Sequence, residues 1–369
     1  MSNNLSVIGI GKLGLCFSLT LERSGYNVVG VDINQDYVDA INSKALKSCE
    51  QNVEEYLCLS KNFTATTDLS KAVNHSDVLF VVVATPSLSN GRYDHSQVES
   101  VIREIKKLGP QKDKHFVVCC TTMPSYCDEV ERSLWEYGYI VSYNPEFIAQ
   151  GTILRDQASP DMVLIGEGSQ EAGDILEQIY TRMTNSNPKI CRMSRTEAEI
   201  CKISLNCFLT TKISFANMVG DIAIASGLPA HNILNAIGSD SRIGNKYLKH
   251  GYGYGGPCFP RDNRALAIYA NDIGRPAPIS IATDEMNGIH LDFQVQEFIE
   301  NSPIDKDVII ESVTYKPNTT ILEESQQLVF AESIAKHGYR VTIKESKAVI
   351  EQLQKKSGDL FSYIERDQA

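Results

Sequence analysis

The sequence predicts an α/β protein with an open, mostly parallel sheet first, an all-helical centre, and a small α/β part at the end. Three patterns in its 369 residues predict this fold. Short apolar runs alternate with amphipathic stretches between residues 5 and 150, as in buried parallel strands joined by helices. One helical pattern then extends from Thr196 to about Ser226, and a strand–helix–strand pattern begins at Val308. We expect domains over residues 1–190, 191–300 and 301–369.

Composition and charge exclude several classes of protein. Apolar residues make up 42% of the chain and charged residues 22%, which excludes a disordered chain, a collagen and a coiled coil. No apolar run reaches the ~18 residues of a membrane span, so no membrane is expected as a partner. The net charge of −11 argues against nucleic acid as the main partner. Because the chain starts without a basic leader, we expect a cytoplasmic protein.

The ten cysteines include no C-x-x-C pair. A zinc ribbon or a thioredoxin-type site therefore has no support, and we expect no metal. In a protein without an export signal the thiols should be reduced, and most should be small buried apolar residues.

The first strand pattern, Leu5–Ile10, leads into a glycine-rich turn. A helix follows to about Ser24, and a second strand, Tyr26–Val31, ends at Asp32. This order is the dinucleotide-binding fingerprint of Rossmann-like domains, in which three glycines allow a tight turn, a close approach to pyrophosphate and close helix packing. An acid at Asp32 would accept hydrogen bonds from a ribose diol and repel a 2′-phosphate, which favours NAD over NADP. The residues of the predicted turn are Gly9, Ile10, Gly11, Lys12, Leu13 and Gly14.

Polar residues follow three further predicted strands, which are Val78–Val83, His115–Cys120 and Ile140–Ser142. Ligands of an open α/β sheet collect at the carboxyl ends of its strands. The candidates there are Thr85 and Pro86, Thr122, and Glu146. Since Thr-Pro and Asn-Pro also occur in ordinary turns, each position alone has a purely structural alternative.

The longest helical pattern contains Lys202 and Asn206, which are four residues apart and so share a face. Ser194 or Thr196 would cap the helix, and Gly227-Leu228-Pro229 would end it. A lysine whose stem packs along apolar neighbours is the alternative interpretation. The helix is apolar on more than one face, so we expect it to be buried around much of its circumference.

A glycine-rich segment, His250–Asp262, follows this helix. Four glycines in six residues suit close approach of the backbone to a ligand. Cys258 lies at the exit of the segment, with Asp262 four residues later. A nucleophilic thiol needs an exposed position and a neighbour that tunes its ionisation, and this setting distinguishes Cys258 from the other nine cysteines. An incidental cysteine after a glycine-rich loop is the alternative.

Taken together, these motifs resemble the UDP-glucose/GDP-mannose dehydrogenase family, and most of all its UDP-glucose 6-dehydrogenases. The resemblance covers roughly residues 5 to 325, in family order. Its motifs are VIGIGKLG with Asp32, VVVATP, TTMP, NPEFIAQG, the E-x-x-K-x-x-x-N of Glu199, Lys202 and Asn206, and SRIGNKYLKHGYGYGGPCFPRD.

The resemblance implies a four-electron oxidation, in two NAD-dependent steps, of the C6 alcohol of a UDP-sugar to a carboxylate. It implies that Cys258 is the nucleophile, that Lys202 stabilises oxyanions, and that Asp262 and Thr122 hold a water. Glu146 would be a general base and Asn206 would orient the substrate. The resemblance also implies a homodimer built around the central helix. The substrate-binding residues that it implies are Glu146, Phe147, Gln150, Lys202, Asn206, Arg242 (across the dimer), Tyr247, Tyr252, Gly253, Tyr254, Gly255, Tyr315 and Lys316.

The sequence departs from the family pattern in two respects. The C-terminal part, from about Lys306, is expected to be a shortened third domain with strands Val308–Val313 and Tyr339–Ile343, a helix over Glu324–His337, and a helix and polar tail in Lys347–Ala369. Single positions also differ, since Glu323, Met218 and Gln150 stand where the family has an arginine, a glutamate and an acid, and the glycine expected near Pro124 is absent. These differences leave the nucleophile and its partners intact.

Two other functions stay open from the sequence. A single-step β-hydroxyacid dehydrogenase also uses a lysine and an asparagine on one helix, but needs no thiol. An inactive nucleotide-sugar-binding relative is the non-enzymatic alternative. The sugar stays open as well, because dehydrogenases acting on UDP-N-acetylmannosamine, UDP-N-acetylglucosamine and GDP-mannose share these motifs.

Overall fold

A computed structural model of the protein describes residues 3–148, 151–317 and 319–366. The chain forms two compact units, Met1–Lys202 and Ile203–Ala369. The three domains with boundaries near residues 190 and 300 stay a prediction.

The first unit contains a sheet of eight strands. In chain order they are β1 (Asn4–Ile8), β2 (Asn27–Val31), β3 (Phe63–Thr66), β4 (Val78–Val81), β5 (Lys114–Val118), β6 (Tyr139–Tyr143), β7 (Met162–Glu167) and β8 (Lys189–Ser194). Their spatial order is β3-β2-β1-β4-β5-β6-β7-β8, and neighbours are parallel except for β6 and β7. After β3 the chain therefore crosses back over the sheet and places β4 on the other side of β1. Such a reversal of strand order forms a ligand crevice in doubly wound sheets.

Helices cover this sheet. They are α1 (Lys12–Arg23), α2 (Gln35–Asn42), α3 (Val53–Leu59), α4 (Leu69–His75), α5 (Ser96–Lys107), α6 (Tyr126–Leu134), α7 (Ile153–Ala158) and α8 (Gln170–Met183). One apolar cluster joins the strands to α1, α7 and α8, through residues such as Phe17, Leu154 and Leu176. A second joins them to α5 and α6, through residues such as Ile102 and Val130. The continuous apolar runs in the strands are explained by burial on both faces.

The α/β fold predicted from the sequence is confirmed, with the ends of the predicted strands displaced by one to three residues. The first apolar run continues past β1, because Gly9 and Ile10 already belong to the turn and donate their N–H groups to the Val31 carbonyl. Three strands, β3, β7 and β8, were not among the predicted strands. Strand β8 lies at the edge of the sheet with half-buried residues, so its sequence lacks a strong apolar run.

The predicted long helix is α9 (Arg195–Ala225), which begins in the first unit and ends in the second. Its expected burial is incomplete within this chain, because Phe208, Phe215 and Ile222 are 66%, 44% and 60% exposed. Among the described residues it is also the one helix long and apolar enough to cross a membrane. The core helix of a soluble protein meets the same criterion, so this is weak evidence.

The rest of the second unit begins with helices and ends with a small sheet. The helices are α10 (Ala230–Gly238), α11 (Phe259–Asp272), α12 (Pro278–Asn301), α13 (Gln326–Lys336) and α14 (Lys347–Ser357). The strands are β9 (Val308–Ile310), β10 (Val341–Glu345) and β11 (Ser362–Glu365), all parallel, in the order β11-β10-β9. The predicted polar tail is corrected here, since it includes β11. That edge strand is mostly exposed, which explains its weak apolar signal.

Candidate active site

The glycine turn after β1 has the geometry that its motif predicts. Gly9 has a φ of +89°, and a Cβ at Gly14 would lie 2.0 Å from the Gly9 carbonyl oxygen, so both positions need glycine. A Cβ at Gly11 would have no neighbour within 4 Å. Gly11 is the N-cap of α1, and no side chain caps the helix there. The first N–H groups of α1 therefore face a space that a phosphate can enter.

A cavity of about 380 Å³ adjoins this turn. Gly11, Leu15, Asp32 and Tyr37 are among the residues that line it. The Asp32 carboxylate accepts the N–H of Asn34 at 3.0 Å, which fixes its direction beyond the end of β2. Burial, together with the charge of Asp32, raises the pKa of Tyr37 to about 12. The cavity thus combines apolar walls, one acid and a helix N-terminus, as the adenosine half of NAD requires.

Thr85 and Thr122 lie past the ends of β4 and β5, as predicted. The Thr85 hydroxyl donates to the Thr121 carbonyl at 2.8 Å. The Thr122 hydroxyl donates to Glu199 at 2.9 Å. Pro86 is exposed beside Thr85. Both threonines therefore stabilise the loops at this edge of the sheet, and their predicted contacts with ligand or water stay predictions.

Glu199 is fully buried and accepts three hydrogen bonds. Besides Thr122, the N–H groups of Ser125 and Cys127 donate to its carboxylate at 2.6 and 2.9 Å. Those two groups belong to the start of α6, so Glu199 satisfies the N-terminus of a neighbouring helix. Burial nevertheless raises the pKa of Glu199. The sequence placed Glu199 in a motif but gave it no role, and the structure supplies one.

Glu146 lies in a polar cluster after β6. The Tyr180 hydroxyl lies 3.2 Å from the Glu146 carboxylate and 2.7 Å from the side-chain oxygen of Asn144. The Lys202 ammonium donates to the Glu146 backbone carbonyl at 2.7 Å and lies 4.2 Å above the ring of Phe147. The structure thus brings together three predicted site residues, Glu146, Phe147 and Lys202. Gln150 lies outside the described residues.

Burial raises the pKa of Glu146 to about 7, although the Tyr180 hydroxyl and the Lys202 charge both lower it. A carboxylate that titrates near neutral pH is suited to accept and return a proton. Tyr180 was not predicted, because it lies on α8 and belongs to none of the motifs in the sequence.

Cys258 is exposed and forms the N-cap of α11. Asp262, one turn later, is 1% exposed and accepts a hydrogen bond from the amide of Asn206 at 2.6 Å. Both side chains lie at the first turn of α11, the end of a helix that attracts negative charge. The structure thus brings Asp262 and Asn206 into contact and places Cys258 at the start of the helix that carries Asp262, while their predicted roles stay predictions.

The loop before Cys258 packs closely against the C-terminal part of the same unit. A Cβ at Gly255 would lie 2.2 Å from the Glu324 carbonyl oxygen, and one at Gly256 would lie 2.3 Å from the ring of Tyr315. Tyr254 is buried, and its hydroxyl donates to Asp284. The glycines are thus required for packing within the unit, which is a different reason from the predicted approach to a ligand.

The remaining predicted substrate contacts lie mostly at the surface of the second unit. Arg242 is exposed and pairs with Asp240 at 2.7 Å. Tyr247 is half exposed and has a φ of +61°, an uncommon backbone conformation for a residue with a large side chain. Tyr252 packs edge-on against Phe330 at 5.9 Å. Gly253 lies in the same loop, and Lys316 is half buried.

Comparison with known proteins identifies the family. The family model described as the NAD binding domain of the UDP-glucose/GDP-mannose dehydrogenase family matches residues 3–184, and the model of its central domain matches residues 196–288. A GDP-mannose 6-dehydrogenase of Pseudomonas aeruginosa is 31% identical, over 92% of this chain and 80% of its own length. A UDP-glucose 6-dehydrogenase of the same organism is 30% identical, over 91% and 77%.

Among solved structures, a UDP-glucose dehydrogenase from the archaeon Pyrobaculum islandicum aligns with a TM-score of 0.89 and 30% identity. The alignment covers 99% of this chain and 87% of that one. The predicted NAD cofactor is confirmed by the matching family domain, and the glycine turn and the cavity beside Asp32 fit it. The chain therefore belongs to the UDP-glucose/GDP-mannose dehydrogenase family, and it is an NAD-dependent oxidoreductase of the nucleotide-sugar 6-dehydrogenase type.

Proposed function

We propose that this chain oxidises the C6 alcohol of UDP-glucose to the carboxylate of UDP-glucuronate, through a covalent intermediate on Cys258. The observation that supports a two-step reaction is the setting of Cys258, an exposed thiol at the N-terminus of α11. A single-step alcohol dehydrogenase has no use for such a nucleophile.

The overall reaction consumes one alcohol, two NAD⁺ and one water, and it yields one carboxylate, two NADH and three protons. When bound at the glycine turn beside Asp32, NAD would supply the hydride acceptor for each of the two oxidation steps. After the first oxidation, the Cys258 sulfur attacks the aldehyde carbon and forms a thiohemiacetal. Loss of the second hydride and a proton gives a thioester. Water then hydrolyses the thioester, which releases the carboxylate and restores the thiol.

Residues of the first unit supply charge and proton transfer in this proposal. Lys202 is 8% exposed, and a poorly hydrated cation stabilises an oxyanion better than one in open water. Glu146, with a pKa near 7, takes the proton from the hydrolytic water. Thr122 is fully buried beside Glu199, and its hydroxyl donates to that carboxylate, which holds the loop in place. We assign Thr122 a second role, in which a lone pair of the same hydroxyl accepts a hydrogen bond from the predicted water.

In the second unit, Asp262 and Asn206 act together. The buried Asp262 carboxylate is oriented by the Asn206 amide at 2.6 Å, so it can receive the thiol proton through a water as Cys258 reacts. Arg242, Tyr247, Tyr252 and Lys316 are the contacts that we assign to the nucleotide part of the substrate.

The choice of UDP-glucose rests on the wording of the RIGNKY and GGPCFPRD segments and on the similarity to the archaeal UDP-glucose dehydrogenase. GDP-mannose is the second candidate, because a GDP-mannose 6-dehydrogenase is equally similar in sequence. A cytoplasmic location follows from the proposal, since NAD and sugar nucleotides are cytoplasmic metabolites.

We also propose a homodimer through α9. Its exposed Phe208, Phe215 and Ile222 are seven residues apart, which places them along one face of the helix. A second copy would bury this apolar stripe. Replacing Phe215 by glutamate should convert the dimer to a monomer in light scattering, whereas a wild-type protein that is already monomeric would refute the interface.

The decisive experiment measures NADH formation with UDP-glucose, UDP-N-acetylmannosamine, UDP-N-acetylglucosamine and GDP-mannose. We expect UDP-glucose to give two NADH per sugar. Another sugar preferred by about tenfold in kcat/KM, or about 1.4 kcal/mol, would overturn the choice of substrate. One NADH per sugar would contradict the two-step reaction.

Replacing Cys258 by serine tests the covalent step. We expect turnover to fall by at least about a hundredfold, because a neutral serine hydroxyl is a far weaker nucleophile than a thiolate. Cys58, which is also exposed, provides a matched control, and Cys58→Ser should keep full activity. Unchanged turnover in Cys258→Ser would favour the single-step alternative.

A further inference from the structure

Three side chains outside the proposed catalytic groups meet inside the second unit. They are Asp221 on α9, His250 before the glycine loop, and His290 on α12. Their ligand atoms all lie within 4.8 Å of one another. Asp221 and His290 are buried, and His250 is half buried. Two imidazoles and one carboxylate from three separate segments are a donor set typical of zinc-like ions.

The hydrogen bonds of His290 point to a cation in this cluster. Its Nε2 lies 2.6 Å from the Gly251 carbonyl, which can only accept, so this nitrogen carries a hydrogen. In a neutral ring Nδ1 then has a lone pair, and it lies 2.8 Å from the Asp221 carboxylate. Two lone pairs at this distance repel each other unless a positive charge, either a proton or a metal ion, lies between them.

His250 faces the same carboxylate. Its Nε2 lies 2.9 Å from Asp221. A Cβ at Gly220 would lie 2.1 Å from the His250 ring, so only glycine leaves room for the imidazole against α9. The two separations between Asp221 and the imidazoles are a few tenths of an ångström shorter than the ~3.3 Å between ligands of tetrahedral zinc. The two imidazole nitrogens lie within 4.8 Å of each other, so side-chain shifts can bring all three ligand atoms to that spacing.

We propose that Asp221, His250 and His290 bind a divalent transition-metal ion of the Zn²⁺ class. The bond from His290 to the Gly251 carbonyl matches the second contact that a metal-bound histidine makes with its other nitrogen. Asn217 accepts the Gly251 N–H at 3.1 Å, so both polar groups of this residue are held. The ion has a structural role, because it fixes the start of the loop that leads to Cys258.

Direct binding tests this proposal without using the enzyme reaction. The full-length protein, free of any affinity tag, is treated with a chelator and titrated with Zn²⁺ in a calorimeter and with Co²⁺ in a spectrophotometer. We expect one ion per chain. The cobalt spectrum should lack a thiolate charge-transfer band, which distinguishes the site from the exposed cysteines. A hundredfold excess of Zn²⁺ over its Kd should raise the melting temperature by about 5 °C.

Two substitutions assign the ligands. His250→Asn, at the half-buried position, and Asp221→Asn should each weaken binding at least about tenfold. His231→Gln, at an exposed histidine of α10, is the control and should bind as the wild type does. Circular dichroism confirms that each variant is folded. Wild-type protein that binds no ion, or His250→Asn that binds the ion with unchanged affinity, would overturn the proposal. The positive charge between Asp221 and His290 would then be a proton.

Discussion

Replacing Glu146 by glutamine should make the protein more stable at alkaline pH but not at acid pH. Glutamine has nearly the shape of a protonated glutamate, so the change removes only the ability to ionise. Burial raises the pKa of Glu146 from 4.5 to about 7 in the folded protein. The folded state therefore holds a proton between these values that the unfolded state has lost.

The sign and the size follow from this shift. Because the folded state binds more protons, the stability of the wild type falls as pH rises from 4.5 to about 7, and it is level above that. At 1.36 kcal/mol per pKa unit, the full effect is about 3 kcal/mol. The gain of Glu146→Gln over the wild type should thus be close to zero near pH 4.5 and reach about 3 kcal/mol at pH 8.

Urea denaturation followed by circular dichroism at pH 5 and pH 8 measures this difference. Glu136→Gln, at an exposed glutamate of the same unit, controls for the loss of one negative charge. The same variant should also lose the rise in turnover with pH near 7, since that rise reports the base form of Glu146. An equal stability difference at both pH values would refute the raised pKa of Glu146 on which the proposed base depends.

Four further substitutions test the first unit. Tyr180→Phe removes the hydroxyl that lowers the pKa of Glu146, so the acid limb of the pH–rate profile should move to higher pH, and an unchanged limb would exclude the contact. Gly14→Ala places a Cβ 2.0 Å from a backbone oxygen and should destabilise the protein by at least about 1–3 kcal/mol. Gly11→Ala is the control, because a Cβ there meets open space, so the melting temperature should stay the same and only KM for NAD should rise. Asp32→Asn should raise KM for NAD at least about tenfold and reduce the preference of the enzyme for NAD over NADP. A KM for NAD equal to that of the wild type would show that Asp32 does not bind the cofactor.

The sequence predicted the parts of the fold that short-range patterns specify. The glycine turn, Asp32 and the long helix were identified because each depends on local periodicity or on motif spacing. Strands β8 and β11 were missed because edge strands bury little surface and so lack apolar runs. Their pairing with β7 and β10 is a tertiary property that no local window contains.

The candidate site divides in the same way. Glu146, Lys202 and Cys258 were identified from motifs. Tyr180 and the cluster of Asp221 with two histidines were not, because their members are distant in sequence and are brought together only by packing. The glycine loop shows a different limit, since its composition predicted an open backbone while Gly255 and Gly256 are needed for contact with other residues of the unit.

The buried Glu199 gives a structural reason for the E-x-x-K spacing. Its carboxylate fastens the start of α9 to the first N–H groups of α6 and to Thr122. Lys202 lies three residues later, less than one turn along the same rigid helix. The position of the ammonium above Phe147 therefore depends on a carboxylate that is held by three hydrogen bonds from the protein itself. With Lys202 in its proposed role, a mutation at Glu199 should slow catalysis by displacing the ammonium, and a screen restricted to ligand-contacting residues would overlook it.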